Sequence, residues 1–208
     1  GQLTQVYSRG RKRFSANLGD YAGISSSSIS LLGIDEEYPS TVDPELMTFS
    51  SGNKDEAFNQ VFHNESFYTC IISESISVVM KIDLGDKVKI NIQRGDETES
   101  YPFRIVGICS SMPGFFGKFG SSQYAASGGG VMVSQETYGQ ILDLPEPVYV
   151  DKLFIRLREG GLSLADDIER EIDTEYQSDY DYNLINLQNR IESQQSAFST
   201  VDILFTLV

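Results

Sequence analysis

The C-terminal segment constrains the fold of this chain more than any other feature. From residue 184 onward, apolar residues recur at the spacing of one face of an α-helix, at Leu184, Leu187, Ile191, Phe198, Val201, Phe205 and Val208. The segment is amphipathic at first, and residues 203–208 are apolar almost throughout. A full membrane span needs about 20 apolar residues, so the segment holds only the beginning of one. We expect either a stalk helix that leads into a bilayer or an ordinary C-terminal helix that docks into a core.

Composition and charge limit the class of protein. The chain has 208 residues, of which 40% are hydrophobic, which suits one large globular domain or two small ones. Its formal net charge is −14, and this excludes nucleic acid as a partner because a phosphate backbone requires a positive surface. The basic residues at 9–13 are expected to form the solvated tip of a hairpin.

Strand and helix patterns alternate along the chain and predict a mixed α+β fold. Residues 3–7 and 14–18 are expected to pair as a hairpin around the basic turn. Further strands are predicted over 28–33, 68–72, 87–92, 101–109, 131–133, 149–157 and 180–184. Helices are predicted over 54–62, 74–80, 163–176 and from Ser134 to residue 142, with Ser134 as the N-cap.

Familiar catalytic and metal-binding patterns are missing from the sequence. The single histidine, His63, follows a predicted helix, where it suits the C-terminal carbonyl groups better than a catalytic triad. The acidic residues of 166–173 lie on one predicted helix with Arg170 among them, and their spacing is not that of an EF-hand. The segment 114–119 resembles a phosphate loop, but Phe119 stands where a magnesium-binding Ser or Thr is required. We therefore expect no enzyme, no cofactor and no metal.

Three further features are candidates for modification or contact. Cys70 and Cys109 lie near the ends of two predicted strands and are expected to form either a disulfide or a pair of small buried thiols. Asn64 opens an Asn-Glu-Ser glycosylation sequon, which matters only on the outside of a eukaryotic cell. The glycine-rich stretch 112–130 carries four aromatic residues. These are either a flap over the domain's own core or a surface that touches a partner or a lipophilic substrate. They are Phe115, Phe116, Phe119 and Tyr124.

Seven short motifs follow one another between residues 25 and 208. They are Gly33-Ile34-Asp35 with Tyr38, Phe49 and Gly52; Glu56-Ala57 with Val61; Ile71-Ile72-Ser73-Glu74; Leu84-Gly85-Asp86-Lys87-Val88; Phe103-Arg104-Ile105-Val106-Gly107-Ile108; Met132-Val133-Ser134; and the strand 153–157. Their order and spacing resemble those of the MacB-like periplasmic core domain, which is the extracytoplasmic part of FtsX-like ABC transporter permeases.

The resemblance implies a fold with two lobes. A porter-like α+β lobe would comprise residues 1–80 and 131–187, and a smaller β-rich, sabre-like lobe would be inserted at 81–130. Residues 188–208 would then form a stalk helix that leads into a transmembrane helix.

The resemblance also implies a function and a place in the cell. The chain would be a non-enzymatic domain on the extracytoplasmic side of the cell membrane, coupling cytoplasmic ATP hydrolysis to export, to lipid or lipoprotein release, or to partner activation. Its partners would be an ABC ATPase, a second permease subunit in a homodimer or heterodimer, the membrane through flanking helices, and an extracytoplasmic protein or lipid substrate. Two alternatives are a ligand-sensing ectodomain of a membrane receptor and a secreted hydrolase.

Overall fold

A computed structural model of the chain describes residues 2–7, 15–20, 29–42, 47–112, 129–143, 152–157 and 161–176. The chain divides into two compact units, residues 1–156 and residues 157–208. In the second unit, a 3₁₀ turn at Gly161–Leu164 precedes the helix α5, Ala165–Tyr176. The predicted strand at 180–184 and the predicted stalk helix at 188–208 lie outside the described residues.

The first unit contains one mixed sheet, with nine strands in its described part. The strands are β1 (Gln2–Tyr7), β2 (Ser15–Asp20), β3 (Ser30–Ile34), β4 (Thr48–Ser51), β5 (Tyr68–Ser73), β6 (Lys87–Arg94), β7 (Glu97–Ser111), β8 (Gly130–Ser134) and β9 (Lys152–Arg156). Their order across the sheet is β2-β6-β7-β5-β8-β3-β1-β9, with β4 paired to β7. The helices are α1 (Tyr38–Thr41), α2 (Lys54–His63), α3 (Glu74–Met80) and α4 (Gln135–Leu142).

Strand β7 joins most of the sheet. One edge pairs in parallel with β5, from Phe103 to Cys109. The other edge pairs antiparallel with β6 over its first half and with β4 near its end. Between them, the turn before β6 bonds to the same edge, since Ile105 N donates to Asp86 O at 3.0 Å and Gly85 N donates to Ile105 O at 2.8 Å. A strand of 15 residues is long enough to hold three partners.

Apolar side chains cover both faces of the sheet. On β8, Val131 and Val133 belong to one core cluster, and Met132 between them belongs to the other. Because successive strand residues point to opposite faces, the two clusters lie on opposite sides. Helices α3 and α4 pack on the first face, and α1 and α2 pack on the second. The continuous buried run 69–72 of β5 is typical of a strand covered on both faces.

Local sequence signals predicted most elements correctly. Helix α2 begins after Asn53, whose side chain accepts a hydrogen bond from Glu56 N at 3.1 Å. Helix α4 begins after Ser134, whose Oγ accepts one from Thr137 N at 3.1 Å, as the capping prediction required. The predicted strands of β5, β6, β7 and β8 and the helix α3 are confirmed within a few residues, although β7 begins four residues early, at Glu97.

The predicted hairpin between the first two strands is wrong. Both strands exist, but β1 pairs antiparallel with β3 and β9, and β2 pairs antiparallel with β6. Leu18 of β2 is fully buried in the same cluster as Val88 and Ile90 of β6, so its apolar side chain is satisfied by a partner distant in sequence. The turn predicted at residues 9–13 lies outside the described residues.

The mixed α/β class is confirmed, whereas the division into a porter-like lobe and an inserted lobe stays a prediction. The strands β6 and β7, which fall in the predicted insertion, belong to the same sheet as β5 and β8. Val88 and Phe103 also share one apolar cluster with Ile72 and Val131.

Two glycines allow helices and side chains to approach the sheet closely. A Cβ added to Gly33 of β3 would lie 2.6 Å from Tyr138 Cβ on α4. A Cβ added to Gly107 of β7 would lie 2.6 Å from Phe49 Cε1 and 3.2 Å from Ala57 Cβ on α2. Separations this short exclude a side chain at either position without movement of the neighbouring element.

We predict that Gly33→Ala destabilises the 208-residue chain by about 1–3 kcal/mol, because the new methyl group overpacks the contact with Tyr138. Gly139→Ala on the same helix is the matched control. Nothing lies within 4 Å of a Cβ at Gly139, so alanine should stabilise the helix by about 0.5–1 kcal/mol. Urea unfolding followed by circular dichroism measures both changes, and equal effects of the two substitutions would contradict the packing explanation.

Candidate functional site

Several strands meet at one end of the sheet, which we call the loop end. Strand β3 begins there at Ser30, which is paired with Gly130 at the beginning of β8. Strand β5 ends there at Ser73, paired with Cys109 of β7, and β4 begins opposite the end of β7, with Thr48 paired to Ser111. The loop end therefore consists of the ends of β5 and β7, the beginnings of β3, β4 and β8, and the first turn of α3.

The predicted contact segment is attached to this end of the sheet at both of its termini. It leaves β7 after Met112, which is buried in the second core cluster, and returns at Gly129 just before β8. The four aromatic residues that sequence singled out, Phe115, Phe116, Phe119 and Tyr124, lie outside the described residues. The chain enters the loop end twice more, at Ile29 and at Met47, each time after a stretch that is likewise outside them.

The return point of that segment is fixed by serine hydroxyls. Gly130 N donates to Ser73 Oγ at 3.0 Å, and the Ser73 and Ser75 hydroxyl oxygens are 2.9 Å apart. Gly129 has a φ of +98°, and a Cβ there would collide with Ser73 Oγ and lie 2.7 Å from Ile76 Cγ1. Only glycine fits between α3 and the sheet at this position.

The place where the contact segment leaves β7 is also held by hydrogen bonds from serine hydroxyls. Ser50 Oγ donates to Ile108 O and Ser110 Oγ donates to Thr48 O, both at 3.3 Å. These bonds tie β4 to β7 where their register shifts. The loop end thus offers hydroxyl groups and backbone amides on a rigid base, a surface suited to positioning a loop.

A nucleophile at the loop end would need a base within hydrogen-bond reach, and the histidine is elsewhere. His63 is the last residue of α2, close to the beginning of β5 at the opposite end of that strand. It is exposed, and its ring lies against that of Phe62, with centroids 6.4 Å apart. This position at a helix C-terminus is the one that the sequence predicted.

Within the described ranges, no group of three or more His, Cys, Asp or Glu side chains could hold a metal ion. The acidic helix α5 instead carries a local ion pair, since Arg170 bonds to Asp167 one turn away, with both side chains largely exposed. This agrees with the solvated face that the sequence favoured.

The two cysteines are free thiols on opposite faces of the sheet. Cys70 belongs to the first core cluster and Cys109 to the second, and both are fully buried. Cys70 pairs with Ile105, four residues before Cys109 on β7. Of the two alternatives that the sequence left open, the structure has the pair of buried thiols.

Burial controls the chemistry of both thiols. Desolvation raises the pKa of Cys70 far above its ordinary value, and it raises the pKa of Cys109 to about 12, with nearby Lys54 opposing the shift. A thiolate is the reactive form of cysteine, so neither residue is a nucleophile near neutral pH.

Two features of the surface had no signal in the sequence. Arg94, at the tip of the β6–β7 hairpin, donates from Nη2 to Ile141 O at the end of α4 (2.8 Å) and pairs with Glu99 at 3.2 Å. Tyr101 also donates to Glu99, at 2.6 Å, and this bond raises the pKa of the tyrosine. On α3, Val78 and Val79 are 70% and 72% exposed, although the sequence gave no reason to expect an apolar surface there.

The comparisons with known proteins leave the family open. No family model and no curated protein matches the chain. Among the helices of the described residues, none is both long enough and apolar enough to cross a bilayer.

We predict that the native protein does not react with a thiol reagent such as DTNB at pH 8. With a pKa near 12, about 1 in 10,000 of the Cys109 side chains is ionised at that pH. Both thiols should react after denaturation. Ser110→Cys is the matched control, because Ser110 is exposed beside Cys109 and its thiol should react in the native state.

The same pKa shifts contribute to the pH dependence of the free energy of unfolding. Both folded-state values are raised, so the stabilisation is complete below the ordinary pKa of 9.0 and is lost as the pH rises toward 12. Rapid reaction of the wild-type thiols with DTNB at pH 8 without unfolding would contradict the assignment of Cys70 and Cys109 as buried, protonated thiols.

Proposed function

We propose that this chain is the extracytoplasmic domain of an ABC transporter permease of the MacB/FtsX-like type. It would couple ATP hydrolysis in the cytoplasm to export, to release of a lipid or lipoprotein, or to activation of a partner outside the membrane. The observation that carries the proposal is the order of the seven motifs between residues 25 and 208.

The places of these motifs in the fold support the proposal. Gly33 and Gly107 are positions where a Cβ would lie 2.6 Å from Tyr138 of α4 and from Phe49, respectively. Asp86 of the Leu-Gly-Asp motif accepts a hydrogen bond from Asp83 N at 2.8 Å and also binds Ile105 N through its carbonyl oxygen. These motif residues thus lie at close packing contacts and at a turn of one sheet.

The chemistry of the described residues suits a mechanical role. The loop end presents hydroxyl and amide groups without a neighbouring histidine, and both cysteines are buried and protonated. A domain that pushes or releases a partner needs a stiff body and a contact surface, and it does not need a nucleophile. The two-sided core around β5, β7 and β8 supplies such a body.

In this proposal, the finer architecture follows the family. A porter-like lobe of residues 1–80 and 131–187 carries a smaller β-rich lobe at 81–130. The segment 188–208 forms a stalk that continues into a transmembrane helix. The aromatic residues between Met112 and Gly129 contact the substrate or partner from the loop end.

The proposed mechanism transmits a rigid-body shift. ATP binding closes the cytoplasmic ATPase, the two permease subunits approach each other, and the stalks carry the movement outward to the domains. The segment from 188 to the end contains neither Pro nor Gly, so a helix there would be uninterrupted and stiff.

We predict that Ser196→Pro uncouples ATPase turnover from transport in the natural full-length protein reconstituted with its ATPase. Proline removes a hydrogen bond inside a helix and kinks it, at a cost of about 3 kcal/mol, so the stalk would bend instead of transmitting movement. ATPase rate and transport are measured together in proteoliposomes, with Ser196→Ala as the control that preserves the helix.

Retained coupling in the Ser196→Pro protein would overturn the mechanical proposal.

The natural polypeptide beyond Val208 distinguishes the alternatives directly. Three further membrane spans favour a permease, and a kinase or other signalling module favours a ligand sensor.

We predict that the double substitution Phe115→Ser and Phe116→Ser abolishes transport or partner binding and leaves the melting temperature nearly unchanged. If these aromatic residues form a contact surface and not a flap over the domain's own core, polar residues in their place leave the core clusters intact. Phe115→Leu with Phe116→Leu preserves the apolar character and should retain most of the activity. Full activity in the serine variant would remove these residues from the contact surface.

A further inference from the structure

We propose that Asn64 is an N-glycosylation acceptor, with an oligosaccharide attached to its Nδ2 atom. The proposal rests on the extracytoplasmic location of the proposed function, because the transfer of such glycans takes place on that side of a membrane. Asn64 is the only one of the asparagines in the sequence that is followed by the pattern of any residue and then Ser or Thr.

The structure places the sequon in an exposed turn. Asn64 is the residue that follows α2, and the strand β5 begins at Tyr68. Asn64 is half-buried, Glu65 and Ser66 are exposed, and Phe67 is 40% exposed. A transferase must reach the asparagine and the serine together, and a short turn at the surface lets it do so.

The side chain of Asn64 is already folded back on the sequon. Its Oδ1 accepts a hydrogen bond from Ser66 N at 3.0 Å and a longer one from Phe67 N at 3.4 Å. Nδ2 donates no hydrogen bond to any described residue. The oxygen is thereby satisfied by the backbone, and the nitrogen is the atom of the amide that is left for reaction.

The turn is fastened to the domain beneath it. Thr69 Oγ1 donates to Gln60 O at 2.9 Å, which joins the beginning of β5 to the last turn of α2. The guanidinium carbon of Arg104 lies 4.5 Å from the centre of the Phe67 ring, a cation–π contact that holds the turn against β7. A glycan on Asn64 would therefore project from a fixed point without opening the core.

The reaction requires a glycan donor and a transferase from the cell. The donor class is an oligosaccharide linked to a polyprenyl diphosphate. A bond forms between Nδ2 of Asn64 and the anomeric carbon, and the bond between that carbon and the diphosphate oxygen breaks. The lipid diphosphate leaves with the electron pair, and one Nδ2 proton passes to a base of the transferase. No oxidation or reduction takes place.

The test uses the natural full-length protein purified from the membranes of its own cells. Glycopeptide mass spectrometry should find one or more hexose or N-acetylhexosamine units on the peptide that contains Asn64. Asn64→Gln should lose the added mass completely. Ser66→Ala should lose it as well, although it keeps the backbone N–H that binds Asn64 Oδ1. Ser66→Thr retains the sequon and should keep the glycan.

The side of the membrane on which the domain lies is measured in the same cells by the accessibility of the domain to an added protease. An unmodified Asn64 in a domain shown to be outside the membrane would overturn the glycosylation proposal and leave the proposed function standing. An unmodified Asn64 in a domain shown to be cytoplasmic would overturn both. A glycan that persists in the Ser66→Ala protein would also overturn the assignment, because its attachment would not depend on the sequon.

Discussion

The pairing of β7 on both of its edges is the constraint on which the rest of the first unit depends. One edge binds β5 in parallel, and the other binds β6, the turn before β6, and β4 in succession. Because β7 is covered on both faces, the successive residues Ile105 and Val106 join different core clusters. Loss of this strand would separate β2 and β6 from the remaining strands and would expose both clusters to water.

Close packing against the sheet follows from the same arrangement. A strand buried on both faces leaves little room above or below it, so residues with small side chains stand where another element comes nearest. Gly107 and Ala57 meet on one face, and Gly33 lies under Tyr138 on the other. Both glycines belong to the motifs on which the proposed family rests.

Local signals in the sequence were sufficient to predict most helices and strands, although not α1 and β4, and they were insufficient to predict which strands pair. Asn53 and Ser134 cap their helices through the backbone N–H three residues later, a contact that any reader of the sequence can anticipate. The pairing of β2 with β6 depends instead on where Leu18 finds an apolar neighbour some seventy residues away, and no local pattern contains that information.

The candidate site shows the same limit. The sequence identified the asparagine of the sequon, the glycine-rich segment and the two cysteines, because each is a chemical signal in itself. Whether the cysteines are bridged depends on the register of β5 against β7, which sequence does not reveal. The bond from Arg94 to Ile141 joins residues 47 positions apart, so the attachment of the hairpin tip to α4 could not be foreseen.

The place of β1 has a consequence for how such a unit can be built into a larger polypeptide. Gln2, at the start of the unit, is paired across the sheet with Arg156, at its end. These two residues therefore lie one strand spacing apart, about 5 Å. A unit whose first and last strands are neighbours in the sheet can be inserted between two adjacent segments of a larger protein without separating those segments.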